Sequence, residues 1–167
     1  PVGPGLSPSS DPTLTADLPR DEVLRGWKTY RNEEYGFEVK YPSTMKFEEY
    51  NSMHSVMFSP TGYEVYGIFP EITIFENKTI NAHIPSILDT INKDSAYRSM
   101  NFRLSNIVDY NLDGKSGKKV SFISSDSVVF TYVLVEKDLK LYEFFVQELP
   151  EENSTYADIL STFKFIK

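Results

Sequence analysis

Two neighbouring runs, Val128 to Val135 and Leu141 to Val146, are apolar or aromatic at every position except Thr131 and Glu143. A strand with one wet face alternates apolar and polar residues, so runs like these belong to strands covered on both sides. Lys137-Asp138 between them reads as a turn, which makes the pair a hairpin in the middle of a sheet. Each face of that hairpin needs a cover, and the rest of the chain has to supply two.

The covers are legible as changes of period. Ile84, Ile87, Leu88 and Ile91 sit at i, i+3, i+4 and i+7, the apolar face of a helix, with Asn81 as the expected cap and Pro85 in the expected first turn. Tyr156, Ile159, Leu160 and Phe163 repeat the stripe behind Pro150 and the segment Glu151 to Ser154, whose acids and short polar side chains suit a helix start. Between the helices the chain reads as strands. Arg103 to Leu112 meets Asp113-Gly114 and returns as Lys118 to Ser124 with Val120 and Phe122 on one face; Ser125-Asp126 leads into Val128 to Lys137, and Leu139 to Leu149 closes an antiparallel meander. Before the first helix, Trp27 to Tyr30 pairs with Phe37 to Tyr41 across Asn32 to Gly36, and Met53 to Ser59 pairs with Val65 to Glu76 across Ser59-Pro60-Thr61-Gly62, with a bulge or an edge expected at Pro70. The expected class is α+β: an α-β-α sandwich of six or seven antiparallel strands with helices on both faces.

The first 25 residues are of another kind. Five of the ten prolines fall among them, mixed with Gly and Ser, a composition that offers too little apolar surface to offset its ordering entropy. Residues 1–25 are expected to be a flexible tether and 26–167 the folded domain. The chain opens on Pro, so a processed product whose upstream export signal or anchor is missing is expected, and with it an extracytoplasmic place at a cell surface or in a periplasm. No apolar run approaches the length of a membrane span, so contact with a membrane is expected only through that missing segment. A net charge of -7 argues against nucleic acid and anionic lipid, because both need a basic patch. The absence of cysteine removes disulfides, thiolate metal sites and a Cys nucleophile together.

Candidate chemistry is sparse. Only His54 and His83 are present, neither in a nucleophile motif, and both read as surface or capping residues. Glu48, Glu49 and His54 form the one short acid-plus-His cluster with metal-ligand chemistry, but no periodicity fixes them on one face. Asp109 and Asp113 read as turn residues, without the oxygen spacing of a calcium loop. Gly114-Lys115-Ser116-Gly117-Lys118-Lys119 has two residues where a phosphate loop has four and joins two strands, so it reads as a hairpin tip whose lysines discourage edge pairing. Asn77-Lys78-Thr79 and Asn153-Ser154-Thr155 match the glycan acceptor pattern by chance, the second being better read as a cap. Most of the aromatic residues read as core; Tyr30, Tyr35, Tyr41, Tyr50, Tyr63 and Tyr66 crowd the amino-terminal half and could form a surface for a protein partner. No catalytic residue, metal ligand or cofactor site is assigned.

Two segments carry a family likeness. Trp27 to Pro42 holds an aromatic strand, then Asn32-x-x-x-Gly36-Phe37, then an alternating strand ending in Tyr41-Pro42; Ile159 to Phe165 ends a helix in Ser161-Thr162-Phe163-Lys164-Phe165. In both, the chain resembles the PsbP-like family, although Met45-Lys46-Phe47 stands where that family commonly has Trp. The resemblance implies an α-β-α sandwich shared by extrinsic photosystem subunits, a nuclear-import accessory factor and small bacterial or archaeal lipoproteins. With the tether, it implies a non-catalytic binding or accessory module held at the cell surface. The alternative is a small-molecule-binding or hydrolase-like protein with a pocket between sheet and helix, and a cytosolic GTPase regulator is a third reading by analogy of fold.

Overall fold

The structure, a computed structural model, describes residues 24–62, 69–148 and 154–166. The tether over 1–25, apart from its last two residues, the strand expected from Val65 to Ile68, Tyr63, Tyr66 and the capping segment Glu151 to Asn153 lie outside the described residues.

The chain runs β1 (Lys28–Asn32), β2 (Phe37–Tyr41), β3 (Met45–Tyr50), β4 (Ser55–Pro60), β5 (Glu71–Glu76), α1 (Ile80–Lys93), β6 (Arg103–Leu112), β7 (Lys115–Ile123), β8 (Val129–Lys137), β9 (Lys140–Glu148), α2 (Ser154–Ser161) and β10 (Lys164–Phe165). Seven of the strands form one sheet in the order β3-β4-β5-β9-β8-β7-β6, antiparallel throughout. The meander from β6 to β9 is as expected, and β8 and β9 lie inside the sheet as their continuous apolar runs require.

One expectation about the sheet is corrected. The β1–β2 hairpin is not part of the large sheet; it pairs with β10 in a separate three-stranded sheet, Lys164 opposite Glu38 and Phe165 opposite Phe37. The place at the edge of the large sheet belongs to β3, whose sequence Met-Lys-Phe-Glu-Glu-Tyr buries only Met45 and so carries almost no alternation to read.

The small sheet joins the two segments that carried the family likeness, and their chemistry explains why. Asn32 closes the β1–β2 turn by accepting from the Tyr35 backbone N–H at 2.8 Å. Gly36 stands at φ +69° with the Ile166 carbonyl 3.3 Å from where a Cβ would sit, while Ile166 N–H donates to the Gly36 carbonyl. Thr162 Oγ1 takes the Lys40 N–H at 2.8 Å, and the Phe163 ring stacks on Phe37 at 5.4 Å.

Two aromatic clusters hold the domain together. One joins Tyr30, Phe37, Val39 and Tyr41 of the hairpin to Phe58, Ile72, Val133, Val135, Tyr142 and Phe144 of the large sheet, and to Ile159 and Phe163. The other joins Ile87 and Ile91 of α1 to Phe102, Val120, Phe122, Phe130, Tyr132, Leu134 and Leu141. Alternate residues of β8 divide between them, Phe130, Tyr132 and Leu134 to one, Val133 and Val135 to the other. Each fully buried aromatic side chain contributes about 2–3 kcal/mol relative to exposure.

The cap of α1 lies two residues earlier than the Asn81 expected. It is Thr79, whose hydroxyl accepts from Ala82 N–H, so Asn81 lies within the first turn and Pro85 in the interior rather than the first turn. His83, expected at the surface before the helix, is inside it and 5 % exposed. No helix among the described residues is long and apolar enough to cross a membrane.

Candidate functional site

Each aromatic cluster has a cavity at its margin. The first, of about 170 Å³, opens between the β1–β2 hairpin and strands β3 and β4 and is lined by Tyr30, Asn32, Glu34, Tyr35, Glu49, His54 and Ser55, among others. Strand alternation places Glu49 toward the hairpin and Glu48 away from it. Glu49 Oε1 accepts from the Tyr30 hydroxyl at 2.7 Å, and Asn32 Nδ2 donates to the same hydroxyl at 2.9 Å. Burial, with Glu49 next, pushes the Tyr30 phenol well above the ordinary range. Tyr35 Oη meets His54 Nδ1 at 2.5 Å, and the Tyr35 carbonyl accepts from the Tyr142 hydroxyl, tying the hairpin turn to the large sheet. His54 holds its place with a positive φ of 51° as the residue that ends the short 3₁₀ turn after β3. Ser55 Oγ is buried without a partner and makes no bond to His54.

This cavity absorbs several residues that the sequence marked separately. Glu49 and His54 share it, but Glu48 turns outward to Lys46 and Tyr50, with its carboxyl held below the usual range chiefly by Lys46. Among the described residues no three His, Cys, Asp or Glu side chains gather as a metal-binding group. Of the six tyrosines expected to offer a partner surface, Tyr30 and Tyr41 are core residues at 4 % and 5 % exposure, Tyr35 and Tyr50 are half-buried, and Tyr63 and Tyr66 lie outside the described residues.

The other marked residues are scattered. Asp113 and Gly114 both have positive φ, the geometry of a two-residue hairpin turn, and Asp113 also accepts from the Phe165 N–H. Of that segment Gly114 alone is in the turn; Lys115 to Lys119 open β7, where Lys118 pairs with Asp109 of the edge strand β6. Gly117 lies against the Leu134 carbonyl, where a Cβ would overlap it. Asn77 follows β5 at φ +54°, and Thr79 of the same triplet is the α1 cap.

The second cavity, of about 320 Å³, lies between α1 and the sheet and was not marked residue by residue in the sequence. Its walls include the carboxylates of Glu71, Asp94 and Glu143, the rings of Phe69, Tyr97, Phe130, Tyr132 and Phe145, and no Lys or Arg. Glu143 Oε2 meets His83 Nε2 at 2.6 Å, a pair almost closed to solvent, while His83 Nδ1 has no partner. Asp94 Oδ1 caps the Ala96 N–H, leaving its other oxygen free of that bond. Tyr132 is 8 % exposed, and its hydroxyl has no hydrogen-bond partner among the described residues. Burial pushes the Tyr132 phenol far above its ordinary range, with the charges of Glu143 and Glu71 adding to the rise. Glu143 was visible as the one charge in an apolar strand, a signal that could have found this site.

No family model matches the chain, and no curated protein matches it. Among solved structures it is similar to the solution structure of cyanobacterial PsbP (CyanoP) from Synechocystis sp. PCC 6803. The two superpose with a TM-score of 0.63 at 16 % identity, over 84 % of this chain and 92 % of that one. The fold is PsbP-like. At that identity the likeness concerns the fold alone.

Proposed function

We propose that this PsbP-like domain is a non-catalytic binding or accessory module that works outside the cytoplasm, joined to the cell surface through the Pro/Ser-rich segment 1–25 and an upstream anchor. The layered form of the sandwich belongs to the same reading: α1 covers the sheet face of Phe130, Tyr132 and Leu134, and α2 the face of Val133 and Val135, as their shared clusters support. The observation that carries the proposal is the PsbP-like fold itself, behind a segment with the composition of a linker. A protein partner would be engaged without chemistry, as the polar groups of the hairpin cavity are spent on each other and Ser55 lacks the histidine bond of a nucleophile. External protease added to intact cells of the source organism tests it. Loss of the domain supports the proposal, and protection until lysis contradicts it, as would a reading frame upstream of Pro1 with neither export signal nor anchor.

A second reading, small-molecule binding between sheet and helix, is favoured by one specific observation. The α1 cavity is of ligand size, and Tyr132 on its wall makes no hydrogen bond within the fold. Calorimetric titration of the full chain with small organic cations and their neutral analogues tests that reading.

A further inference from the structure

The α1 cavity combines three features that together select one chemistry. Three carboxylates, Glu71, Asp94 and Glu143, approach it with no Lys or Arg among its walls, so its field favours a cation. His83 bonds one oxygen of Glu143, and Glu71 has no hydrogen-bond or ion-pair partner among the described residues. Yet no three such groups gather closely enough to enclose one metal ion. Aromatic rings share the lining with the carboxylates, Tyr132 and Phe145 lying 4.8 Å apart at their centroids and Tyr97 packing edge-on against Phe130 at 5.2 Å. Ring faces attract an ammonium that sheds its water more readily than a small hydrated metal ion does. The third feature is Tyr132, a residue 8 % exposed that lines the same cavity and makes no hydrogen bond within the fold. Its hydroxyl keeps its donor and acceptor capacity for a polar atom of a bound molecule.

We propose that the cavity between α1 and the sheet binds a small organic ammonium ion, its charge met by Glu71, Asp94 and Glu143, its carbon body by Tyr97 and Phe145, and a polar atom by the Tyr132 hydroxyl. A volume of about 320 Å³ has room for roughly ten water-sized atoms, the scale of a simple aliphatic amine or diamine. The inference rests on the small-molecule reading above and adds the class of ligand.

The test is calorimetry and NMR titration of the full chain, at constant ionic strength, with n-butylammonium, 1,5-diaminopentane, 1-butanol as the neutral isostere, and calcium and zinc chlorides. The expected result is saturable binding of the ammonium probes, at least about tenfold tighter than 1-butanol, with resonance shifts at Tyr97, Tyr132 and Phe145. Glu71→Gln and Asp94→Asn should each weaken it by about tenfold, and Tyr132→Phe, which keeps the ring packing, by about threefold. Equal binding of 1-butanol and n-butylammonium overturns the ammonium proposal and leaves small-molecule binding standing. Tighter binding of either metal at the same residues overturns it in favour of a metal. Binding of none of the probes at about 10 mM overturns both.

Discussion

The two cavities sit beside two aromatic clusters built from the same central strands, and they treat their polar groups in opposite ways. At the hairpin, Tyr30, Asn32 and Glu49 satisfy one another, and Tyr35 is held by His54. Ser55 Oγ is the exception. Under α1, Tyr132 has no partner in the fold although it is nearly as buried as Tyr30. The difference teaches that a polar cavity can be structural, a hydrogen-bonded joint between two sheets, and that polar groups left without protein partners along an open wall are the better mark of a ligand.

The largest effect that would sharpen this comparison is expected at the joint. Phe37 is fully buried and its ring meets Tyr30, Tyr142 and Phe163. Phe37→Ala should cost about 4 kcal/mol in chemical denaturation, whereas Phe145→Ala, at the wall of the open cavity, should cost about 1–2 kcal/mol. Equal costs would mean that the α1 cavity is packed as tightly as the joint. Next in size is Gly117→Ala, which pushes a methyl against the Leu134 carbonyl and Val135 of β8. It should cost about 3 kcal/mol, read from the denaturation midpoint.

A smaller effect comes with alkaline pH. Tyr30, Tyr132 and Tyr142 have phenols raised above the ordinary value, in each case first by burial. A raised folded value stabilises the fold fully below the unfolded phenol value near 10, and that contribution is lost as pH rises toward the folded value. Phenolate absorbance should therefore show Tyr30 and Tyr132 un-ionised at about pH 11 in the folded protein, with stability about 3 kcal/mol below that at pH 8.

Much of this arrangement could be read from the residues, and the exceptions have causes. The continuous runs of β8 and β9 predicted interior strands, and the i, i+3, i+4, i+7 stripes predicted both helices. The Asn32 to Phe37 and Ser161 to Phe165 motifs turned out to be one contact, the small sheet, but no local pattern says that Lys164 and Phe165 pair with Glu38 and Phe37, far away in the chain, instead of joining the main sheet. β3 was hidden because an exposed edge strand needs no alternation. The Asp138-Leu139 turn was displaced by one residue from the Lys137-Asp138 expected, since Leu at a positive φ of 63° carries no turn signal. Of the sites, Glu49, His54, Tyr30 and Tyr35 were visible singly while their meeting was not, and the α1 cavity draws on five separate elements, beyond the reach of any motif.

The central claim is that one cavity is closed by its own hydrogen bonds and the other is open to a ligand, and a matched pair of variants tests it most directly. Tyr30→Phe strands Glu49 Oε1 and Asn32 Nδ2, and the denaturation free energy is predicted to fall by about 1.5 kcal/mol. Tyr132→Phe removes a hydroxyl that has no partner and should leave stability within about 0.5 kcal/mol of the parent or raise it. An equal loss in the two variants would show that Tyr132 is already satisfied within the fold and would contradict the account.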